Sequence, residues 1–443
     1  MDKRRFSDRK IIGMLAPLLL DQLLLRVVGL ADSFIISFTG EASVSGVALM
    51  DNFSQVFLLV FLALSSGGAV IVSQYLGSGS KEKASEAATQ LLLLSALFSA
   101  AVSALVFLSR DGLIGFLYGR VEKDVRDAAL LYLTISIFSF PALALYNSGA
   151  ALYRSIGRTK VTMYISAVSN AVNLIGNLIG VFVLKAGVAG VAYPTLISRW
   201  FSALVITFLC SRSPDGVGYL PGARWDWKLI RRISHIAVPN ALESGTFQLV
   251  KVATSAIVAL FGTVQIAANG IAQTFWNLSC LVSVSASPVF ITVIGQCMGA
   301  GEKEEAEWYM RRLLKLTEAL SVAWNALFLA VAFPVLSLYA VSEETRRLTG
   351  ILLLIHNIGN AFIFPFYEPL GKGLRAAGDV RFTLAVSLVS SLLGRLLFSV
   401  IFGYVLSGGV IGVAFSMVLD WVIRSSFFLM RFRSGKWKEF KVI

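Results

Sequence analysis

Residues 17–81 open with Pro17-Leu18-Leu19-Leu20-Asp21 and close with Gly77-Ser78-Gly79-Ser80-Lys81, and residues 239–303 open with Pro239-Asn240-Ala241-Leu242-Glu243 and close with Gly299-Ala300-Gly301-Glu302-Lys303. The two stretches align without a gap. Pro17 falls on Pro239, Asp21 on Glu243, Gly40 on Gly262, Gln74 on Gln296, Gly77 on Gly299, Gly79 on Gly301 and Lys81 on Lys303. Chance spacing of apolar residues would not also match prolines, acids and loop glycines, so the chain reads as a duplication. At nearly the same offset, Leu152-Tyr153-Arg154-Ser155-Ile156-Gly157 falls on Gly373-Leu374-Arg375-Ala376-Ala377-Gly378.

Outward from the repeat, apolar residues make up 56% of the 443 and charged residues 15%, with a mean hydropathy of +0.75. A water-soluble domain does not reach such values. Long apolar runs recur near 12–38, 44–76, 86–109, 127–152, 161–184, 187–211, 233–261, 265–298, 311–340, 346–372, 382–405 and 409–432, each long enough to cross a bilayer as a helix. They are rich in Leu, Ala, Gly and Phe and lack the alternation of barrel strands, so backbone satisfaction in lipid points to helices. The predicted fold is an all-α integral membrane protein of twelve transmembrane helices in two pseudo-symmetric six-helix bundles around a central cleft. The expected boundaries are an N-terminal lobe over 1–211, a cytoplasmic linker over 212–232 and a C-terminal lobe over 233–443. Six spans per half return the chain to its starting side, so both halves share one orientation and can rock about the linker. The linker carries Ser213-Pro214, Gly216-Val217-Gly218 and Pro221-Gly222, the composition of an exposed tether.

The formal net charge of +13 would suit nucleic acid were it gathered on one face. It lies instead in alternate loops. Placing both termini in the cytoplasm gives that side roughly 27 Lys/Arg and the other roughly 7, the bias that orients membrane proteins. The expected location is the cytoplasmic (inner) membrane. The basic Lys3-Arg4-Arg5 opening resembles a signal-peptide n-region, but the following run is too long and has no small-residue cleavage site, so it reads as a retained first helix. Cys210, Cys280 and Cys297 have no metal-type spacing and read as buried thiols.

The segments Pro17 to Gln22, Gly29-Leu30-Ala31-Asp32-Ser33, Ser73-Gln74-Tyr75-Leu76-Gly77 and Leu374-Arg375-Ala376-Ala377-Gly378-Asp379 resemble the MATE (multidrug and toxic compound extrusion) family over nearly the whole chain. The resemblance implies a V-shaped pair of six-helix lobes that exports organic cations or other amphiphiles in exchange for H⁺ or Na⁺. No cofactor beyond that coupling ion is expected. A small-molecule cargo and membrane lipids are the expected partners of a monomer, with no nucleic acid.

Ionisable side chains at membrane depth cost about 2.5–3.5 kcal/mol on insertion scales and are functional candidates by default. Asp21 and Asp32 share one face of the first span, roughly 16 Å apart along its axis. Asp32 matches the family's first-helix protonation or cation site and is the expected coupling acid. Desolvation disfavours a charged carboxylate, which lets proton and substrate compete for one group. Asn170, Asn173 and Asn177 make an amide stripe on the fifth span at three- and four-residue spacing. The resemblance makes Asn173 and Asn177 partners of Asp32, or else they glue helices together. The DNA-damage-inducible F type often has an Asp where this chain has Asn177.

Asp21 and Glu243 occupy equivalent depths and either line the cleft to select cations or neutralise Arg26 and Lys251, which are not at ideal helical spacing for them. Lys251 and Arg395 put positive charge in the second lobe, with a structural or ion-pair role expected for Arg395. Asp51, Arg199 and Asp420 are expected to be interfacial or packing residues. The norfloxacin-exporter branch places carboxylates in the seventh and tenth spans, whereas this chain has Phe364 near the expected acid and Glu368 a turn later, between Pro365 and Pro369. A second-lobe Na⁺ site is therefore not expected on that pattern, although Glu368 can face the cleft. Trp276, Tyr146 and Tyr367 are the aromatic cleft candidates, the two tyrosines matching across the repeat. Competing readings are a lipid-linked oligosaccharide or lipid flippase, which usually has a more cationic cleft, and a non-transporting membrane scaffold. His235 and His356 are far apart in sequence and no phosphate loop is present, so an enzyme is not expected.

Overall fold

The structure, a computed structural model, describes residues 4–118, 122–212, 215–220, 222 and 224–443. Lys3 of the basic opening, and Ser213, Pro214 and Pro221 of the expected linker, lie outside the described residues. The described chain is helical and follows the repeat. Spans one to six are Asp8–Ser37, Glu41–Gly77, Lys81–Tyr118, the pair Lys123–Ile137 and Phe140–Ser155, Thr159–Val183, and Ala189–Arg212. Spans seven to twelve are Trp227–Ala259, the pair Thr263–Ser279 and Leu281–Gly299, Lys303–Ser337, the pair Glu343–Phe362 and Phe364–Ala376, Val380–Val405, and Gly409–Arg433.

Among the described residues, nine helices are long and apolar enough to cross a membrane, and joining two bent pairs brings the number to eleven. The remaining span, the seventh, Trp227–Ala259, carries Asn240, Glu243, Gln248 and Lys251 along its length, which lowers its apolar character without shortening it. The fourth and tenth spans bend at equivalent places, by 46° and 44°. Each lower half starts with a proline in its first turn, where the missing N–H has no helical partner to lose.

Two compact lobes divide the chain: Ile12–Ala241, and Leu242–Ile443 together with Met1–Ile11. The seventh span is shared, and the division falls two residues after Pro239. In the first lobe its opening half packs on the second span, where a Cβ on Gly67 would sit 2.9 Å from Ala237. In the second lobe the opening residues are held by the ninth span. Phe6 exchanges hydrogen bonds with the Tyr309 hydroxyl, N–H to oxygen at 2.7 Å and O–H to carbonyl at 2.8 Å, while Arg312 pairs with Asp8 at 2.9 Å.

The linker departs from the exposed tether that its composition suggests. Val217, Gly218 and Tyr219 are buried. The Gly218 N–H donates to Ser85 Oγ at 3.1 Å, Leu220 N–H to Thr89 Oγ1 at 3.0 Å and Asp226 N–H to Gln90 Oε1 at 3.1 Å. Gln90 Nε2 returns a bond to the Arg224 carbonyl at 2.7 Å. A non-helical backbone needs partners for each N–H, and the polar face at the start of the third span supplies them.

The duplication extends to backbone detail. The fifth and eleventh spans both end in π-helical turns, Ile179–Val183 and Ser399–Val405. Each is followed by a non-glycine residue in the left-handed region, Lys185 at φ 52° and Ser407 at φ 54°. The next helix then crosses at backbone contact: a Cβ on Gly180 would lie 2.1 Å from the Gly190 oxygen, and one on Gly412 would lie 2.3 Å from the Phe402 oxygen. The three cysteines are free and buried.

Candidate functional site

In the first lobe, half-buried Asp32 on the first span meets the amide stripe of the fifth span. Asn173 and Asn177 are one helical turn apart and point the same way, with 6% and 0% of their surfaces exposed. Asn177 Nδ2 donates to Asp32 Oδ1 at 2.8 Å. With its amide turned so that nitrogen faces the carboxylate, Asn173 donates to both Asp32 oxygens at 3.1 and 3.3 Å, and its own oxygen accepts from the Thr195 hydroxyl at 3.0 Å. The buried Asn177 Oδ1 has no hydrogen-bond partner among the described residues. Asp32 makes no ion pair among them either; Asp51 and Arg199 are its charged neighbours. Asp51 accepts from the Tyr132 hydroxyl at 2.9 Å, and Arg199 Nη1 donates to Ser139 Oγ at 2.7 Å. Asp32 is thus a carboxylate held by neutral amides beside an open amide oxygen. That donor set can exchange a proton or receive a small hard cation through oxygen.

Asp21, 2% exposed, lies elsewhere on the same span, with Ser166 and Arg154 beside it. The Tyr146 hydroxyl donates to the Thr162 carbonyl at 3.3 Å and adjoins the same acid. The second lobe repeats this arrangement. Glu243 pairs with Arg375, the counterpart of Arg154, and lies 3.8 Å from Arg424. Ser387 also adjoins it. Arg424 in turn donates to Asp420 at 2.8 and 3.0 Å, to Tyr367 Oη at 3.0 Å and to Ser391 Oγ at 2.5 Å.

The bases that answer Asp21 and Glu243 therefore come from the fourth, tenth and twelfth spans. They are not the local Arg26 and Lys251. Trp276 stacks on Trp421 with ring centroids 6.3 Å apart and meets Phe364 edge-on, within one aromatic cluster that also holds Tyr367 against Phe364. Glu368 pairs with Lys372 one turn on, at 3.5 Å. Arg424, absent from the sequence-based candidates, is the centre of the second lobe's network. Its i,i+4 spacing to Asp420 was the available signal.

With this geometry in place, the comparisons agree on a class. The MatE family model matches residues 17–179 and 239–401, one copy in each half, so the chain belongs to the MatE family. It is a multi-pass membrane transporter and not an enzyme. An uncharacterized transporter, YisQ, of Bacillus subtilis is 26% identical over 95% of this chain and 93% of its own length. A probable multidrug resistance protein, NorM, of Thermotoga maritima is 21% identical over 98% and 94%. A solved outward-facing multidrug resistance MATE family transporter of the MOP superfamily superposes with a TM-score of 0.89 at 19% identity, covering 96% of each chain.

Proposed function

We propose that the chain exports small organic molecules, cationic or amphiphilic, by antiport against H⁺ or Na⁺, with alternating access between its two six-helix lobes. Asp32 is the coupling carboxylate, and Asn173 and Asn177 hold and orient it. The observation that carries this reading is the contrast in partners: Glu243, Asp379 and Asp420 are each bound by an arginine, whereas Asp32 is met by amides and Thr195 steadies one of them. A carboxylate without a fixed counter-charge has the most to gain from a proton or a metal cation, and loses that ion most readily when water or cargo arrives. The names of the relatives, multidrug resistance proteins among them, favour drug-like cargo. The loop charges favour cytoplasmic termini in the inner membrane, and a monomer suffices for two duplicated lobes.

Proteoliposomes loaded with a fluorescent organic cation test it. Imposing a pH gradient, and separately a Na⁺ gradient, accelerates movement of the dye through at least one of them, and an ionophore that collapses the gradient removes the acceleration. Dye movement indifferent to both gradients across a broad panel of cations sinks antiport.

A further inference from the structure

The second lobe holds a cavity at the place where the first lobe holds Asp32, and its polarity is opposite. Within the gapless part of the repeat Asp32 corresponds to Thr254 and Asp51 to Gln273, so both acids give way to neutral side chains. Thr254 and Gln273 line a cavity of about 30 Å³ together with Lys251, Asn269, His356 and Arg395. No carboxylate lines it among the described residues. Asp420, the acid that acts on Arg395, is already taken up by Arg424 at 2.8 and 3.0 Å and by the Ser390 hydroxyl at 2.6 Å.

Two groups in this wall are buried with unmet polar atoms. Arg395 is 5% exposed and its Nη1 has no hydrogen-bond partner among the described residues, and the same is true of Nδ1 of His356, which is 3% exposed. A charged donor left unsatisfied in the interior carries a large desolvation penalty, and an acceptor of opposite charge removes it. Phe247 beneath the guanidinium, at 5.0 Å, holds the group in place but supplies no acceptor for Nη1.

Arg395 also sits on a π-helical segment, Ser390–Leu397, where the corresponding part of the fifth span is regular α-helix. Between Gly378 and Ile401 the eleventh span has one residue more than the fifth has between Gly157 and Ile179, and the π-helical segment Ser390–Leu397 accommodates it. Such π turns are frequent at ligand sites, because they turn a side chain that a regular helix would aim elsewhere.

We propose that this cavity is an anion site that binds one small monovalent anion, either a free halide-like ion or a carboxylate group of a cargo molecule. Arg395 and Lys251 supply the charge, and Asn269, Gln273 and His356 supply hydrogen bonds. The volume suits one small ion, since a cavity needs about 10–15 Å³ to hold a water. The inference is independent of ion coupling at Asp32.

The test uses the full chain in detergent. Its Tm is followed in sodium bromide against sodium isethionate, a monovalent anion that is neither halide nor carboxylate, at equal Na⁺ and ionic strength, and crystals soaked in bromide are searched for an anomalous peak beside Arg395. Bromide raises Tm saturably in the wild type. The half-saturating concentration moves up at least about tenfold in Lys251→Gln, and the rise disappears in Thr254→Asp, whose carboxylate occupies the charge of the site. Arg395→Gln, if it folds, also loses the rise. Acetate or benzoate that displaces bromide extends the site to cargo carboxylates, and failure to displace it restricts the site to free halides. The proposal is overturned if bromide and isethionate give the same Tm, if Lys251→Gln and Thr254→Asp respond as the wild type does, or if the anomalous peak lies elsewhere.

Discussion

The interiors of the two lobes share a backbone plan and differ in sign. In the first, Asp32 and Asp51 lie near one another, with Arg199 as their charged neighbour. In the second, the corresponding residues are Thr254 and Gln273, and Arg395 and Lys251 provide the charge. A second pair of places stays alike: Asp21 with Arg154 and Ser166 is matched by Glu243 with Arg375 and Ser387. Duplication thus preserved the acid–arginine tie in both halves and inverted the other site. The preserved pair reads as architecture, since a buried charge must be answered wherever the spans cross. The inverted pair reads as a division of labour between a cation site and an anion site.

The contrast can be broken at several points. Arg424→Met has the largest expected effect, because it strands the buried Asp420 and leaves Glu243 of the preserved pair with Arg375 but without its second arginine. We expect a loss of about 3–5 kcal/mol, visible as a lower Tm, with Asp21→Asn costing less because Arg154 is the one charged group that acts on Asp21 among the described residues. Gly180→Ala and Gly412→Ala each force a methyl against a carbonyl across the paired spans, 2.1 Å from Gly190 O in one case and 2.3 Å from Phe402 O in the other. Each should lower stability by about 1–3 kcal/mol, by similar amounts if the two crossings are equivalent, and differential scanning fluorimetry compares them directly. Asn177→Asp sharpens the difference in sign by placing a second carboxylate against Asp32. Gradient-driven flux in this variant should become more sensitive to external Na⁺ or pH by roughly tenfold in the half-maximal concentration, one decade for about 1.4 kcal/mol of added interaction. The smallest effect belongs to the linker: Ser85→Ala removes the acceptor for the Gly218 N–H and should cost about 1 kcal/mol, read as faster amide hydrogen exchange over 215–220.

Much of the fold was legible because lipid permits few solutions. Apolar runs of sufficient length must be helices, and Pro17 on Pro239 with Gly79 on Gly301 exposed the duplication before any coordinate was known. The gathering of Asp32, Asn173 and Asn177 was legible for a related reason, since the helical period puts the two amides on one face and the family resemblance aims them at the acid. Pairings between spans were not. Arg375 and Arg424 reach Glu243 from helices remote in sequence, and a search at i+3 and i+4 finds only Thr246 and Phe247, no base at all. The linker misled because Gly and Pro record flexibility of the unfolded chain, while its burial depends on Ser85, Thr89 and Gln90 of another element. The π segment that carries Arg395 leaves no trace in composition; it follows from one additional residue between two fixed ends.

Gradient-driven flux of a fluorescent organic cation through reconstituted Asp32→Asn, beside wild-type protein that elutes identically on size exclusion, tests the central claim most directly. Replacing one carboxylate oxygen by an amide nitrogen keeps the shape of the site and its contact with Asn177 while removing the charge. The account predicts that the variant moves dye no faster with a pH or Na⁺ gradient than without one. A variant that keeps the wild-type response to the gradient would contradict it.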